Sequence, residues 1–355
     1  MADTTVFFQQ LRTHYKSKLP FVAYRKPVSN TIKGLLQEND QLFHSESISR
    51  SGFVFCSFSG DQKILIPKDL STSLSVDFQS KKVDSLSNST TVKAEAVTKD
   101  LHIQLVQNGI SAISKNELVK VVLSRKQSVD IGSSDPISLF QNLLNTYANA
   151  FCYLWYHPKV GMWLGASPET FIKYKKGEFT TMSLAGTKPI IQGKDIEWDA
   201  KEEYEQQLVT DYITQQLKTV CTSNVEIKTD GVHTIKAGNV GHLKTTISLQ
   251  LTDKKYLEPI IEALHPTPAV AGFPTLKAIE FIEKNEGYDR SFYTGYLGEI
   301  EEDRLSFFVN LRCMQLQDQH AIIYVGGGIT AGSIPEKEWE ETVHKSKTMV
   351  NILTN

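Results

Sequence analysis

The sequence has little cysteine, no long apolar run and almost no excess of charge. Its four cysteines, Cys56, Cys152, Cys221 and Cys313, are far apart and form no CxxC pair, which argues against a zinc ribbon or a disulfide scaffold and favours a reducing cytoplasm. No uninterrupted apolar stretch reaches the roughly 18 residues that a membrane helix needs. The 38 basic and 40 acidic residues give a formal net charge of −2, so we expect no nucleic-acid partner.

The N-terminal residues and the length of the chain further restrict which class of protein this is. Residues 1–18 contain no basic segment followed by an apolar stretch and a small-residue cleavage site, so we expect neither secretion nor membrane insertion. A chain of 355 residues, of which 40% are hydrophobic, is long enough to bury a sizeable core. This length permits either one large domain or two.

Helical and strand-like patterns alternate irregularly along the chain. The spacing of apolar residues predicts helices over 6–15, 93–114 and 200–220 and a terminal helix after a candidate capping box, Ser333-x-x-Glu336. A polar stretch at 77–95 is the best loop candidate. Segments rich in β-branched and aromatic residues predict strands at 53–58, 119–124, 151–156, 244–251, 305–316 and 321–325. Without regular βαβ spacing, these strands favour an α+β architecture with large, mostly antiparallel sheets flanked by helices.

A glycine-rich segment, GGGITAG at 326–332, follows a predicted strand. Gly326-x-Gly328-x-x-Ala331 superficially matches a dinucleotide fingerprint. A Rossmann unit needs a second strand with an acidic residue about 20 residues further on, whereas the chain here reads as helix up to its end. We interpret the glycines as a close backbone approach to something small, with a simple structural turn as the alternative.

Two carboxylate pairs at helical i,i+3 spacing are candidate metal ligands. Glu202 pairs with Glu205, and Glu338 pairs with Glu341. On two facing helices these pairs would offer four oxygen donors to a hard cation such as Mg²⁺. The alternative for each pair is a solvated helix face, and for Lys345 a simple i,i+4 ion pair with Glu341.

Six blocks of sequence resemble the ordered signature blocks of chorismate-utilising enzymes, which include isochorismate, salicylate, anthranilate and aminodeoxychorismate synthases. The blocks are KVVLSR (120–125), GASPETF (165–171), SLAGTKP (183–189), LHPTPAVAGFP (264–274), EGYDRSFYTGYLG (286–298) and GGGITAGSIPEKEWEETVHKSK (326–347). The resemblance implies the chorismate-binding fold and a single domain over 1–355. Its catalytic region would span 93–350, and residues 1–92 would form a less characteristic N-terminal part.

Two positions discriminate within the family. Amine-transferring members typically carry Gln where this chain has Lys120, and a different sequence where this chain has His265-Pro-Thr267-Pro-Ala. The resemblance therefore implies an isochorismate synthase that uses water, acts on the small molecule chorismate and needs no glutaminase subunit. Salicylate synthase, which also eliminates pyruvate, is the alternative, and a non-catalytic chorismate-binding protein is the hypothesis from another class. The reaction serves menaquinone and catechol siderophore biosynthesis alike, and the sequence does not distinguish them.

The resemblance also implies a role for each site residue. Lys120 would be the base that activates water, and Glu169 the acid that protonates the leaving C4 hydroxyl, which requires a raised pKa. Arg312 and Tyr293 match positions that bind the enolpyruvyl carboxylate. Mg²⁺ would be the cofactor. The substrate-binding set is Thr187, His242, Tyr293, Arg312, Gly327, Gly328 and Lys345, and the metal set is Glu202, Glu205, Glu338 and Glu341.

One position departs from the family pattern, and three of these assignments have an alternative. The family often has His where this chain has Gln206 after Glu205, so the acid is kept but the local hydrogen bonding is expected to differ. His242 could equally be a satisfied histidine of the core. For Lys120 and Glu169 the alternatives are a lysine at a strand end and a carboxylate in a turn.

Overall fold

Antiparallel strands form most of the regular structure. The computed structural model describes residues 3–80, 96–190, 195–221, 225–237, 240–251 and 253–353. The strands are β1 (Phe21–Arg25), β2 (Thr31–Gln37), β3 (Phe43–His44), β4 (Gly52–Cys56), β5 (Lys63–Pro67), β6 (Ser71–Asp77), β7 (Lys120–Asp130), β8 (Phe151–His157), β9 (Gly161–Ser167), β10 (Thr170–Lys175), β11 (Glu178–Pro189), β12 (Lys228–Thr229), β13 (His233–Ala237), β14 (Val240–Gln250), β15 (Gly272–Phe273), β16 (Tyr296–Glu301), β17 (Arg304–Val309), β18 (Cys313–Gln317) and β19 (His320–Ile329).

The helices lie between these strands in the sequence. They are α1 (Thr4–Lys16), α2 (Ala96–Ser114), α3 (Pro136–Thr146), α4 (Ala200–Val220), α5 (Leu257–Leu264), α6 (Thr275–Asn285) and α7 (Pro335–Leu353), with short 3₁₀ turns at Lys68–Leu70 and Lys254–Tyr256. Within the described ranges, no helix is both long enough and apolar enough to span a membrane.

The strands build two sheets that face each other. The first has the order β15-β7-β19-β18-β9-β8-β1-β2-β6, and the second β12-β14-β11-β10-β17-β16-β4-β5-β3, with β13 also paired to β14. Strands from the N-terminal 92 residues thus complete both sheets. The predicted α+β class with large antiparallel sheets is confirmed.

Aromatic side chains fill the space between the sheets. Alternate residues of a strand point to opposite faces, so Val22 of β1 joins this inner cluster while Phe21 packs on the outer side. Phe151 of the first sheet stacks on Phe308 of the second, with ring centroids 4.1 Å apart. Such ring pairs contribute about 0.5–1.5 kcal/mol beyond their buried area, which helps to hold the sheets face to face.

Helices cover the outer faces. Apolar residues of α1, α3 and α7 pack on the first sheet, and those of α4 and α5 on the second. Residues of α2 and α6 cover β7 and the end of β19. The cleft described below lies where α4 and α7, from opposite sides, reach the ends of the strands.

The structure corrects two sequence predictions. The strand expected over 305–316 is two strands, because the chain leaves the second sheet after β17 and enters the first at β18. Arg312 stands at this crossing with a left-handed φ of 48°. The capping box at Ser333 is also wrong: the Ile334 carbonyl accepts the first helical bond, from Glu338, while the Ser333 hydroxyl accepts a bond from the Thr330 amide at 3.1 Å.

Other elements agree with their predicted patterns or extend them. The helix at 200–220 has the predicted bounds, and the opening helix runs from Thr4 to Lys16. The strand at 321–325 continues through the glycines to Ile329. Of the predicted polar loop and the helix that follows it, residues 81–95 lie outside the described residues.

Candidate active site

A cleft of about 870 Å³, including its open mouth, collects the predicted site residues. It lies between the carboxyl-terminal part of β19, the β9–β10 junction, β11, β14 and the first turns of α4 and α7. Lys120 is buried beside it and Glu338 lines the adjoining opening. The other predicted residues line it directly: Glu169, Thr187, Glu202, Glu205, His242, Tyr293, Arg312, Gly327, Gly328, Glu341 and Lys345.

Lys120 begins β7 and reaches the cleft beneath β19. Its side chain is only 1% exposed, and Nζ lies 2.7 Å from Oε1 of Glu205. Gly328 makes this approach possible, because a Cβ there would overlap the Glu205 carboxylate and lie 3.1 Å from Lys120 Cε. The glycine-rich segment therefore provides the close backbone approach that the sequence predicts.

The edge of β19 is open at these glycines. The pairing of β19 with β18 stops at Tyr324, opposite the first residue of β18. Gly326 to Gly328 therefore pair with β7 alone. Lys345 Nζ donates to the Gly326 carbonyl at 3.0 Å from the cleft side. Since successive residues of a strand direct their amides to opposite edges, Gly328 also faces the cleft, and the Gly327 amide points toward β7.

Glu169 lies between β9 and β10, 4% exposed. Its amide donates to the Ser167 hydroxyl at 3.3 Å and its carbonyl accepts from Val309 at 3.0 Å, so its backbone is tied to both sheets. Burial raises the pKa of the carboxyl group to about 8, against the opposing charges of Lys120 and Arg312. The group is therefore protonated near neutral pH, as a general acid must be.

Arg312 and His242 are joined by a hydrogen bond in which the charged guanidinium donates to a neutral imidazole. His242 Nδ1 lies 3.0 Å from the Gly186 carbonyl, to which it must donate, and 3.2 Å from the Thr187 hydroxyl. Its Nε2 then accepts from Arg312 Nη2 at 3.4 Å. Burial, followed by the charges of Arg312 and Lys345, lowers the pKa of His242 to about 3. His242 thus holds Arg312 as a neutral acceptor.

Tyr293 completes this side of the cleft. It is 3% exposed and its ring stacks on Tyr324, with centroids 5.4 Å apart. A Cβ on Gly326 would lie 3.0 Å from the Tyr293 hydroxyl. The glycine therefore leaves the phenol room to face the cleft.

Each of the four glutamates is paired with a lysine. Besides Lys120–Glu205, Lys345 Nζ lies 2.6 Å from Glu341. The two other pairs are Lys201–Glu338 at 3.1 Å and Lys188–Glu202 at 3.7 Å. In the part of the chain that the structure describes, no three acidic, histidine or cysteine side chains converge on one metal position.

The charges around these pairs nevertheless suit a cation. Burial, and then the charge of Glu341, raise the pKa of Glu338, which shows carboxylates crowded in a poorly hydrated place. Burial opposes a charged Lys201, yet Glu338, Glu205 and Glu341 raise its pKa. Carboxylate oxygens are also the donors that Mg²⁺ prefers. The chemistry of the four side chains therefore fits Mg²⁺, although lysines now neutralise them.

Lys188 and Lys201 also belong to the site, although the sequence patterns did not predict them. Lys201 lies four residues before Glu205 on α4, so the spacing was a usable signal. Its contact with Glu338 of α7, however, depends on how the two helices meet. Glu202 also accepts from the Asp199 amide at 3.1 Å, which fixes its carboxylate at the start of α4.

Comparisons with known proteins agree with the resemblance. Residues 57–354 match the chorismate binding enzyme family. The chain is 32% identical over 260 residues to the salicylate biosynthesis isochorismate synthase of Pseudomonas aeruginosa, covering 70% of this chain and 54% of that protein. It is 31% identical to isochorismate synthase MenF of Pasteurella multocida, covering 70% and 60%. The chain thus spans little more than half the length of these curated relatives.

The fold has solved counterparts. The structure of MenF, the menaquinone-specific isochorismate synthase from Escherichia coli, is similar with a TM-score of 0.78 and 22% identity, over 94% of this chain and 89% of that chain. At this identity the likeness concerns the fold, and it agrees with the two facing antiparallel sheets described above.

Proposed function

The chain belongs to the family of chorismate-binding enzymes, and from this premise we propose that it is an isochorismate synthase. One observation carries the proposal: a buried amine and a carboxyl group that is protonated near neutral pH meet at one cleft. Lys120 and Glu169 are 1% and 4% exposed. Displacing one hydroxyl by water needs a base at the entering oxygen and an acid at the leaving one.

Lys120 would activate the water that attacks C2 of chorismate. To act as a base, its amine must be in the neutral form when it takes the proton of water. An amine at this position suits water, whereas amine-transferring relatives carry Gln here. The attack forms the C2–O bond, shifts the ring double bonds and breaks the C4–O bond.

Glu169 would complete the exchange at C4. The departing hydroxyl takes the proton of Glu169 and leaves as water, so one water enters and one leaves. The raised pKa of Glu169 keeps this proton available near neutral pH. Burial also keeps bulk water from competing for it.

The cationic end of the cleft would hold the enolpyruvyl carboxylate. Arg312 bonds to the neutral His242 and has no acidic ion-pair partner in the described part of the chain, so its guanidinium can bind a carboxylate through two parallel bonds. Tyr293, Lys345 and the Gly328 amide face the same space. Gly327 lies beside the carboxylates of α7, since a Cβ there would be 3.5 Å from Glu338 and Glu341.

Mg²⁺ is part of the proposal. When bound, it would neutralise the charge of the ring carboxylate and hold it. Glu205 and Glu341 would be its direct ligands, with Glu202 and Glu338 beside them. For this, Glu205 must leave Lys120 and Glu341 must leave Lys345, so the ligands would be freed by breaking pairs present in the structure.

A cytoplasmic location is also proposed, supported by four unpaired cysteines.

Product analysis tests the reaction. Purified protein given chorismate and Mg²⁺, without ammonia or glutamine, should form isochorismate, as resolved by chromatography. Anthranilate or aminodeoxychorismate formed only with ammonia would refute the assignment. Salicylate as the main product would instead identify a salicylate synthase.

Calorimetric titration of Mg²⁺ tests the metal site apart from turnover. Glu205→Gln and Glu341→Gln each replace an anionic donor by a neutral amide, and we expect each to weaken Mg²⁺ binding in the presence of chorismate. Glu340→Gln, on the same helix, is the matched control. If both variants bind Mg²⁺ as the parent does, the glutamate pairs are only ion-paired helix faces.

A further inference from the structure

A second cavity adjoins the candidate active site on the far side of Arg312. It encloses about 1200 Å³, including its open mouth, which is ample for a small organic ligand. Arg312 and Pro168 line both this cavity and the cleft. The two spaces therefore share one guanidinium group.

The cavity is lined by cations and by no acid. Arg312 and Lys236 contribute positive charge and His344 an imidazole, while none of the lining side chains in the described ranges is acidic. The opening on the α7 side of the cleft differs, since Asp199, Glu202 and three further acids of α7 line it. An anion is therefore attracted to the Arg312 cavity and repelled from that opening.

Arg312 has donors to spare for such an anion. A guanidinium carries five N–H groups, and within the described residues the Arg312 side chain hydrogen-bonds to the His242 imidazole alone. Tyr147 also lines the cavity, and its hydroxyl donates to the Thr348 carbonyl at 2.9 Å. Lys236 is exposed at the end of β13, so it can meet a carboxylate at the mouth.

The remaining wall is apolar. Ala166 and Val240 are buried there, and Pro168 and Ile235 are half-buried. These surfaces suit the face of a carbon ring. We infer that the cavity is a second binding site for a small cyclic or aromatic carboxylate, whose carboxylate contacts Arg312 and Lys236 and whose ring packs on this wall.

Occupation of the cavity should weaken chorismate binding, because both ligands would draw on Arg312. This coupling rests on the proposed function, whereas binding of the carboxylate does not. The two parts are therefore measured separately, the first by calorimetry without chorismate and the second by kinetics.

Benzoate is the probe and benzyl alcohol its neutral counterpart. We expect the intact protein to bind benzoate more tightly than benzyl alcohol. Lys236→Glu should weaken benzoate binding about tenfold by reversing a charge at the mouth. Ala148→Trp, at an exposed lining position, should weaken both ligands by filling space. Lys115→Glu, an exposed lysine outside the cavity, is the control for net charge.

The outcomes separate the alternatives. No benzoate binding, or binding unchanged by both Lys236→Glu and Ala148→Trp, would overturn the inference, because neither residue lines the cleft. In kinetics, benzoate should raise the KM for chorismate in the parent and much less in Lys236→Glu. If the protein binds benzoate as expected but does not turn over chorismate, the proposed function is wrong and the inferred carboxylate site in the cavity is still supported.

Discussion

Two side chains carry the proton transfers of the proposed reaction. Lys120→Gln and Glu169→Gln should fold and bind chorismate yet lose turnover by about 10²- to 10⁴-fold, as is typical when a proton-transfer group is removed. Glutamine is nearly isosteric with the protonated carboxyl group of Glu169, so Glu169→Gln should disturb this buried position little. The loss should fall on kcat more than on KM.

Circular dichroism and chorismate calorimetry provide the controls for these variants. Lys120→Gln is the sharper one, because it copies the residue of the amine-transferring relatives. Isochorismate formed by Lys120→Gln at close to the parent rate would mean that another group activates water.

The protonation of Glu169 makes a separate prediction. Burial holds its pKa at about 8, and only the protonated form can donate. Loss of this proton should therefore lower kcat as pH rises through about 8. Initial rates with saturating chorismate between pH 6 and pH 10 measure this; a kcat that stays level to pH 10 would remove Glu169 from the role of acid.

Among the secondary-structure elements, β19 lies against both α4 and β7, because Gly328 packs beside Glu205 of α4 and Lys120 of β7. A Cβ at Gly328 would overlap the Glu205 carboxylate, whereas one at Gly327 would lie 3.5 Å from Glu338 and Glu341, an ordinary contact. Gly328→Ala should lower kcat/KM by on the order of 10²-fold, since small displacements of reacting groups have effects of this size.

Gly327 and Gly332 provide the comparison variants for Gly328→Ala. Gly327→Ala should have a smaller effect, and Gly332→Ala, where a Cβ would meet open space, should be close to the parent. Equal losses in all three variants, with folding confirmed by circular dichroism, would show that the close approach at Gly328 has no special importance.

Elements with a self-contained pattern could be predicted from the sequence. The helix at 200–220 places Val209, Ile213 and Leu217 on one buried face, and that period is visible without tertiary information. The break at Arg312 could not be predicted, since both flanking segments read as strand and the change of sheet is decided by their partners. The contact of Lys201 with Glu338 was missed for the same reason, because it joins helices from opposite sides of the molecule.

Other site features were predicted from the family resemblance, and the structure gives their physical cause. The raised pKa expected for Glu169 follows from its burial between two sheets. The i,i+4 spacing offered the Lys345–Glu341 pair as an alternative, but the lysine partners of Glu202, Glu205 and Glu338 were not predicted. Lys201–Glu338 joins α4 to α7, whereas Lys120 and Lys188 reach the glutamates of α4 from β7 and β11.

At the scale of the whole molecule, buried ionisable groups set the pH of greatest stability. Burial holds the pKa of His102, His242 and His265 at about 4, 3 and 4. Below about pH 6.5 the unfolded chain binds protons there that the folded protein does not. The free energy of unfolding should therefore rise with pH up to that value.

Glu169 acts in the opposite direction. Between about pH 4.5 and pH 8 the folded protein keeps a proton that the unfolded chain has lost, so stability falls as pH rises. Three histidines outweigh one carboxyl group below pH 6.5, and Glu169 dominates above it. Urea unfolding should show a maximum near pH 6.5 and a shallower alkaline decline in Glu169→Gln; stability that keeps rising to pH 8.5 would contradict this.

In the proposed reaction, water attacks C2 of chorismate and the C4 hydroxyl leaves. The most direct test runs the reaction with Mg²⁺ in water enriched in oxygen-18 and analyses isochorismate by mass spectrometry at early times. We expect one labelled oxygen in each isochorismate molecule, located at C2. Unlabelled isochorismate, or an aromatic amine formed only when ammonia is supplied, would contradict it.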